Sequence, residues 1–147
     1  MEVTYGDDNQ QALGQLTDGT VVRQLFKAES WHLAGVSIPF STFGMDYPGR
    51  VLVQIIDLSQ TILGEAYLNT SDIVENSWNE FPVDVMMVQG GSYEVKMFTQ
   101  NCRSGMSSSL RHGLKKHDGH FFVGSKLMHH TELSCQFRYH ESTTSNP

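Results

Sequence analysis

The chain has 147 residues, with 39% hydrophobic side chains, 18% charged ones and a net charge of −6. That is enough for one domain with its own core, and too apolar for a disordered chain. The acidic balance speaks against nucleic-acid binding, and no run nears the ~20 apolar residues of a membrane-spanning helix, so no membrane span is expected.

The charge is uneven. Residues 1–100 carry 4 Lys/Arg against 13 Asp/Glu, whereas residues 101–147 carry 6 against 3. The N-terminal MEVTYGDDNQQALGQ lacks the basic and apolar regions of a signal peptide, which sets a cytoplasmic expectation. Two cysteines, Cys102 and Cys135, are too few for a disulfide scaffold. Cys135 sits within an apolar alternation and reads as a buried thiol. Whether it pairs with Cys102 stays open at this point.

Residues 1–18 read as irregular. Asp7-Asp8-Asn9 is a turn cluster; its oxygen donors lack the spacing of a calcium loop, and a solvated turn is the preferred reading. Thr17-Asp18-Gly19 leads into Thr20–Phe40, which reads as two strands, VVRQLFK and LAGVSIPF, joined by a polar connection around Trp31. STFGMDYPGR is a loop punctuated by Gly44, Pro48 and Gly49. Val51–Leu58 and Thr61–Leu68 form a hairpin, although Ser59-Gln60 lacks the Asn-Gly chemistry of the tightest turns. Asn69-Thr70-Ser71 formally matches a glycosylation sequon and is read as loop.

Trp78–Val83 is a strand that Pro82 brings to an edge or an end. Gly90-Gly91 is a turn, and Ser92–Thr99 alternates clearly. Residues 100–118, rich in Gly, Ser and basic side chains, read as one long loop. GHFFVG, LMHH and a final strand ELSCQFRYH follow, and residues 141–147 form a flexible tail. About eight strands and no amphipathic helix predict an all-β, two-sheet antiparallel β-sandwich of jelly-roll type, as a single domain over 1–147.

Several constellations bear on chemistry. His117-Asp118-Gly119-His120 and His129-His130 invite a metal, but no Cys-x-x-Cys or His-Glu-x-x-His spacing supports one; no metal or cofactor is expected. Ser107-Ser108-Ser109 near His112 and Asp118 lacks the Gly-x-Ser-x-Gly elbow of a serine hydrolase. Asp57, Glu65 and Glu80 are scattered, and none forms an evident glycosidase pair. Trp31 and Tyr47 lie on connections, outside the core alternation, and are candidate sugar platforms. Trp78 and Phe81 read as core, with Phe26, Phe40, Phe137 and Tyr139. Arg103, Arg111, His112, Lys115, Lys116 and His117 form a basic cluster suited to a carboxylate or phosphate, with a merely solvated loop as the competing reading.

The order of these segments resembles a family. Gly19 and VVRQLFK before WHLAGVSI, the hairpin VLVQIIDLSQTILGEAYL, the DIVENSWNEFPV segment with Trp78 and Phe81, and the closing GHFFVGSKL…ELSCQFRYH are similar to β-sandwich modules attached to bacterial surface-polysaccharide glycosyltransferases. The resemblance spans roughly residues 19–140 and rests on core and turn positions, so it implies fold more than activity. The His-rich basic stretch 103–120 and His129-His130 depart from it. It implies a non-catalytic carbohydrate-binding module in a bacterium. The partners would be an oligosaccharide or polysaccharide, anionic if the basic cluster reads it, and a glycosyltransferase catalytic domain. The alternatives are a structural or oligomerisation module and, further off, a small polysaccharide hydrolase or lyase.

Overall fold

The computed structural model describes residues 1–41, 49–102 and 109–141, with the side chains of Gln15 and Ser109 left aside. Among these residues, alternating apolar and polar side chains lay down fourteen strands. The first part of the chain forms β1 (Glu2–Tyr5), β2 (Gln11–Gln15), β3 (Val22–Lys27), β4 (His32–Ser41), β5 (Arg50–Asp57) and β6 (Ile62–Asn69). A single 3-10 turn, Thr70–Asp72, precedes β7 (Trp78–Phe81), β8 (Val85–Met86) and β9 (Ser92–Gln100). Then come β10 (Ser109–Leu114), β11 (Phe121–Val123), β12 (Lys126–Leu127), β13 (Thr131–Leu133) and β14 (Cys135–Tyr139).

They form two antiparallel sheets. One has eight strands along the path β1-β14-β4-β10-β13, with β2 on β10 and both β7 and β8 on β4; the other runs β12-β11-β3-β9-β5-β6. The chain passes repeatedly from one sheet to the other, β3 to β4 to β5 and β8 to β9 to β10, as in a jelly roll. The all-β sandwich expected from the sequence is the architecture observed.

The inner faces meet in one apolar layer. Phe26, Phe40, Phe81, Phe121 and Phe137 are fully buried. Phe26 on β3 stacks on Phe137 of β14, with ring centroids 4.1 Å apart, and so joins the two sheets. A polar tie crosses the same layer. Gln24, fully buried on β3, accepts the Leu133 amide of β13 at 2.9 Å, and its amide group donates to the Leu25 carbonyl at 2.8 Å. Every buried amide must be paired in this way, or it costs stability.

The structure departs from the sequence reading in three places. Residues 1–18 are not irregular: β1 pairs with β14 and β2 with β10, partners too distant in sequence for a local pattern to show. The stretch 100–118 is not one loop: β9 runs to Gln100, and β10 occupies Ser109–Leu114, bonded to β2, β4 and β13. Trp78 is not core. Along β7 the burial alternates exposed, buried, exposed, buried, so Asn79 and Phe81 face inward while Trp78 and Glu80 face out. Residues three apart in a strand lie on opposite faces, which the Trp-x-x-Phe spacing already required. His129 and His130 sit in the turn between β12 and β13, with His130 at φ +61°.

Both cysteines are buried free thiols. Burial, and then the neighbouring Glu132 carboxylate, push the Cys135 thiol well above its usual range. The β5–β6 hairpin does form, and Asp57 supplies what Asn-Gly would have done. Its Oδ1 accepts the amides of Ser59 at 3.0 Å and Thr61 at 2.9 Å, which holds Gln60 at φ +70°. The Ser59 hydroxyl, donating to the same oxygen at 2.6 Å, and then these amides hold the Asp57 carboxyl below the usual carboxylate range.

Candidate functional site

The site is built around the C-terminal end of β4. There Ser109 and Leu110 of β10 pair with Ser41 and Phe40. Alternation along β10 turns Leu110 into the core and Arg111 out. Arg111 is then caught by three segments: its Nε donates to Ser41 Oγ at 3.1 Å, Nη1 to Gln10 Oε1 at 3.5 Å, and Nη2 to Asn76 Oδ1. All three acceptors are neutral, and Arg111 is in no ion pair among the described residues. The guanidinium is fixed in direction while its charge stays uncompensated at contact range.

Asn76 is held in turn. Its amide donates to the Phe40 carbonyl at 3.0 Å, and it takes φ +58°. Buried Asn79 pins the loop on both sides: its Oδ1 accepts Val74 N at 2.8 Å, and its Nδ2 donates to the carbonyls of Val74 at 3.0 Å and Ser77 at 2.9 Å. The next outward side chain is Trp78, 42% exposed and in register with Pro39 of β4. Trp78, Ser77, Asn76, Arg111, Gln10 and Asp7 thus line a cleft of about 150 Å³.

A second hollow, of about 410 Å³, adjoins the first through Gln10, which lines both. Asn9, Gln11, His112, Gly113, Leu114 and Thr131 complete its lining. Among the described residues, His112 Nδ1 and Thr131 Oγ1 are shielded from solvent and have no hydrogen-bond partner. The His112 ring lies 6.4 Å from that of Phe121, and burial pulls its imidazole below the usual histidine value.

The other sequence candidates fare differently. Lys116 pairs with Asp8, whose hydrogen bond and charge raise the lysine's pKa. His117 lies flat on Tyr5, with centroids 3.9 Å apart and planes 2° from parallel, and its Nδ1 meets Glu132 Oε2 at 3.0 Å. Both are thereby engaged in holding the chain together. Lys115 is exposed, its backbone amide bonded to the His130 carbonyl at 3.0 Å. Tyr47 and Arg103 lie outside the described residues. Trp31 is 37% exposed, but it precedes β4, while Arg111 meets the other end of that strand. The ten residues between put them about 30 Å apart. The structure therefore gathers Arg111 and His112 around Gln10 and adds Trp78, Asn76, Asp7 and Thr131, which sequence reasoning missed. The parity of Trp78 against Phe81 was the one signal available for any of them.

At the opposite end of β4, His32 Nε2 contacts Asp84 Oδ1, and the His32 and His140 rings are 4.0 Å apart and inclined at 39°. The hydrogen bond from His32 holds the Asp84 carboxyl below the usual carboxylate range. Among the described residues, these are the three whose ligand atoms gather closely enough to share a cation; His117, His120, His129 and His130 do not gather in this way. A further hollow, about 380 Å³, lies on the six-stranded sheet where Arg23 and Lys96 are register partners. Both of these cations lie over rings, those of Phe122 and Phe98.

No protein-family model and no curated protein matches the chain. Among solved structures it is similar to the crystal structure of the infectious bursal disease virus VP2 subviral particle, with 15% identity and a TM-score of 0.38. That match covers 95% of this chain and 36% of the viral one, so the chain spans about a third of that protein's length. No helix among the described residues is long and apolar enough to cross a membrane.

Proposed function

We propose that this chain is a non-catalytic carbohydrate-binding module that holds a bacterial glycan in the paired hollows around Gln10. The observation that carries the reading is the exposed Trp78 indole beside an Arg111 guanidinium fixed by neutral acceptors. An indole face takes the apolar face of a pyranose ring, while Asn76, Gln10 and Asp7 are placed to exchange hydrogen bonds with its hydroxyls. Arg111 adds a fork for a carboxylate or phosphate on the same glycan. The second hollow, lined by Asn9, Gln10 and Gln11 among others, is placed to take a neighbouring sugar unit. The service to a tethered glycosyltransferase would be local concentration: holding glycan near the active site raises its effective supply without any bond being made or broken here.

A glycan array of neutral and acidic bacterial polysaccharides, followed by calorimetry on the best ligand, tests this. Trp78→Ala should weaken binding about tenfold, in line with the 0.5–1.5 kcal/mol of an aromatic contact, and Arg111→Ala should erase the preference for acidic over neutral glycans. Trp31→Ala should leave binding as it is. Loss of binding in Trp31→Ala with Trp78→Ala unaffected would move the platform to the other end of β4 and overturn this site.

One observation favours a second reading, in which the domain assembles with copies of itself. β6 is an eight-residue edge strand, and it exposes Ile62, Leu63 and Tyr67. A long apolar edge is a template for strand pairing. Light scattering separates the two: a monomer that binds glycan supports the first reading, and a stable oligomer that binds none supports the second.

A further inference from the structure

We propose that His32, Asp84 and His140 form a binding site for a divalent cation of the zinc class. Three separate segments supply the ligands, and the backbone fixes each. His32 opens β4. Asp84 immediately precedes β8, whose Val85 and Met86 pair with Leu33 and His32. His140 follows β14, and its amide donates to the His32 carbonyl at 2.9 Å. The Met87 amide donates to the Trp31 carbonyl at 2.7 Å and closes the same corner.

The donor atoms of the three side chains all lie within 4.8 Å of one another. Around a zinc ion, donors about 2.1 Å from the metal stand roughly 3.4 Å apart, so rotations of exposed side chains complete the set. Asp84 and His140 are exposed, which leaves an open path for the ion. Two imidazoles and one carboxylate suit Zn²⁺, Co²⁺ or Ni²⁺ rather than Mg²⁺ or Ca²⁺, which take oxygen ligands throughout. The His32 and His140 rings, 4.0 Å apart, bring two imidazole donors to one corner of the sheet. Three protein ligands leave a coordination position open to solvent, beside the exposed ring of Trp31.

This site lies at the far end of β4 from Trp78 and does not rest on the glycan reading. The sequence concealed it because the ligands are 52 and 56 residues apart, with no motif, and meet only through the pairing of β4 with β8 and β14.

The test is titration of tag-free protein with Co²⁺, followed by its visible absorption, and with Zn²⁺ by calorimetry. One ion per chain should bind, with the intense bands of four-coordinate cobalt, and affinity should fall on acidification as the imidazoles take up protons. Asp84→Asn and His140→Ala change exposed side chains, so both variants should stay folded and should each bind at least tenfold more weakly. The double variant His129→Ala/His130→Ala should bind as the parent does. Undiminished affinity in either His140→Ala or Asp84→Asn, or loss in the His129/His130 variant, overturns the proposal.

Discussion

Glu132 accepts the amide hydrogen of Gly6 at 2.7 Å, across 126 residues of chain. The carboxylate is fully buried and also accepts the amides of Lys116 at 3.1 Å and His117 at 3.0 Å. It thus fastens the turn after β1 and the segment after β10 to β13, and so fixes the walls of the hollow that Asn9, Gln11 and His112 line. Glu132→Ala strands those donors, one of them fully buried. A hydrogen bond to a charged group contributes about 1.5–3 kcal/mol, so the loss should reach about 3 kcal/mol or more in urea unfolding. Glu132→Gln keeps acceptor oxygens and should lose less. A loss under about 1 kcal/mol in the alanine variant would show that the carboxylate is not the fastening.

The two faces of β7 make a second prediction. Phe81 is fully buried and Trp78 is 42% exposed. Phe81→Ala should therefore cost about 3–5 kcal/mol, the range for a phenylalanine removed from a packed core. Trp78→Ala should stay within about 1 kcal/mol, because it takes little surface out of the core. Thermal melts of the two variants, side by side, decide the orientation of the strand.

Gly6 and Gly124 separate backbone strain from lack of room. They have nearly the same left-handed φ, +62° and +60°. A Cβ on Gly6 would lie 2.8 Å from the Ser134 Cα and amide nitrogen, whereas one on Gly124 would meet nothing within 4 Å. Gly124→Ala should cost about 1 kcal/mol, the left-handed penalty alone. Gly6→Ala should cost at least about 1 kcal/mol more, since the obstructing atoms are backbone. Equal losses in denaturant titrations would mean that the β1 turn shifts freely.

His112 ties stability to pH. Burial lowers its pKa in the folded protein, so the unfolded chain binds the proton more readily between the ordinary value near 6.5 and the lower folded one. Stability therefore carries no His112 penalty above that ordinary value and declines as pH falls through the window below it. His112→Gln should flatten this slope between pH 7 and pH 5 relative to the parent, as measured by unfolding at each pH. Parallel slopes would assign the acid sensitivity to other groups.

Local patterns sufficed for much of this fold. Strands β3, β5, β6, β9 and β14 announce themselves through alternation, and the phenylalanines read as core are buried. What escaped was whatever depends on a partner far along the chain. β1 has only Val3 and Tyr5 as inward side chains, and its place is set by β14. β10 hides Leu110 among serines and basic residues, and its place is set by β2, β4 and β13. The site escaped for the same reason. Lys116 and His117 looked like free cations, but Asp8 and Glu132 come to them only through tertiary pairing. Arg111 meets Asn76 and Gln10 only once β10 lies against β4.

The pairing of β1 with β14 also bears on how the molecule is made. Met1 and Tyr139 exchange backbone bonds, the Tyr139 amide reaching the Met1 carbonyl at 2.9 Å. β1 therefore waits for β14, and the eight-stranded sheet cannot be completed until Tyr139 has been synthesised. So distant a closure places the domain among slow folders, in milliseconds to seconds rather than microseconds. During that wait the edge of β4 from Leu33 to Ser37, which β14 will occupy, stands unpaired. That interval, more than any weakness of the finished sandwich, is when the chain is most exposed to aggregation.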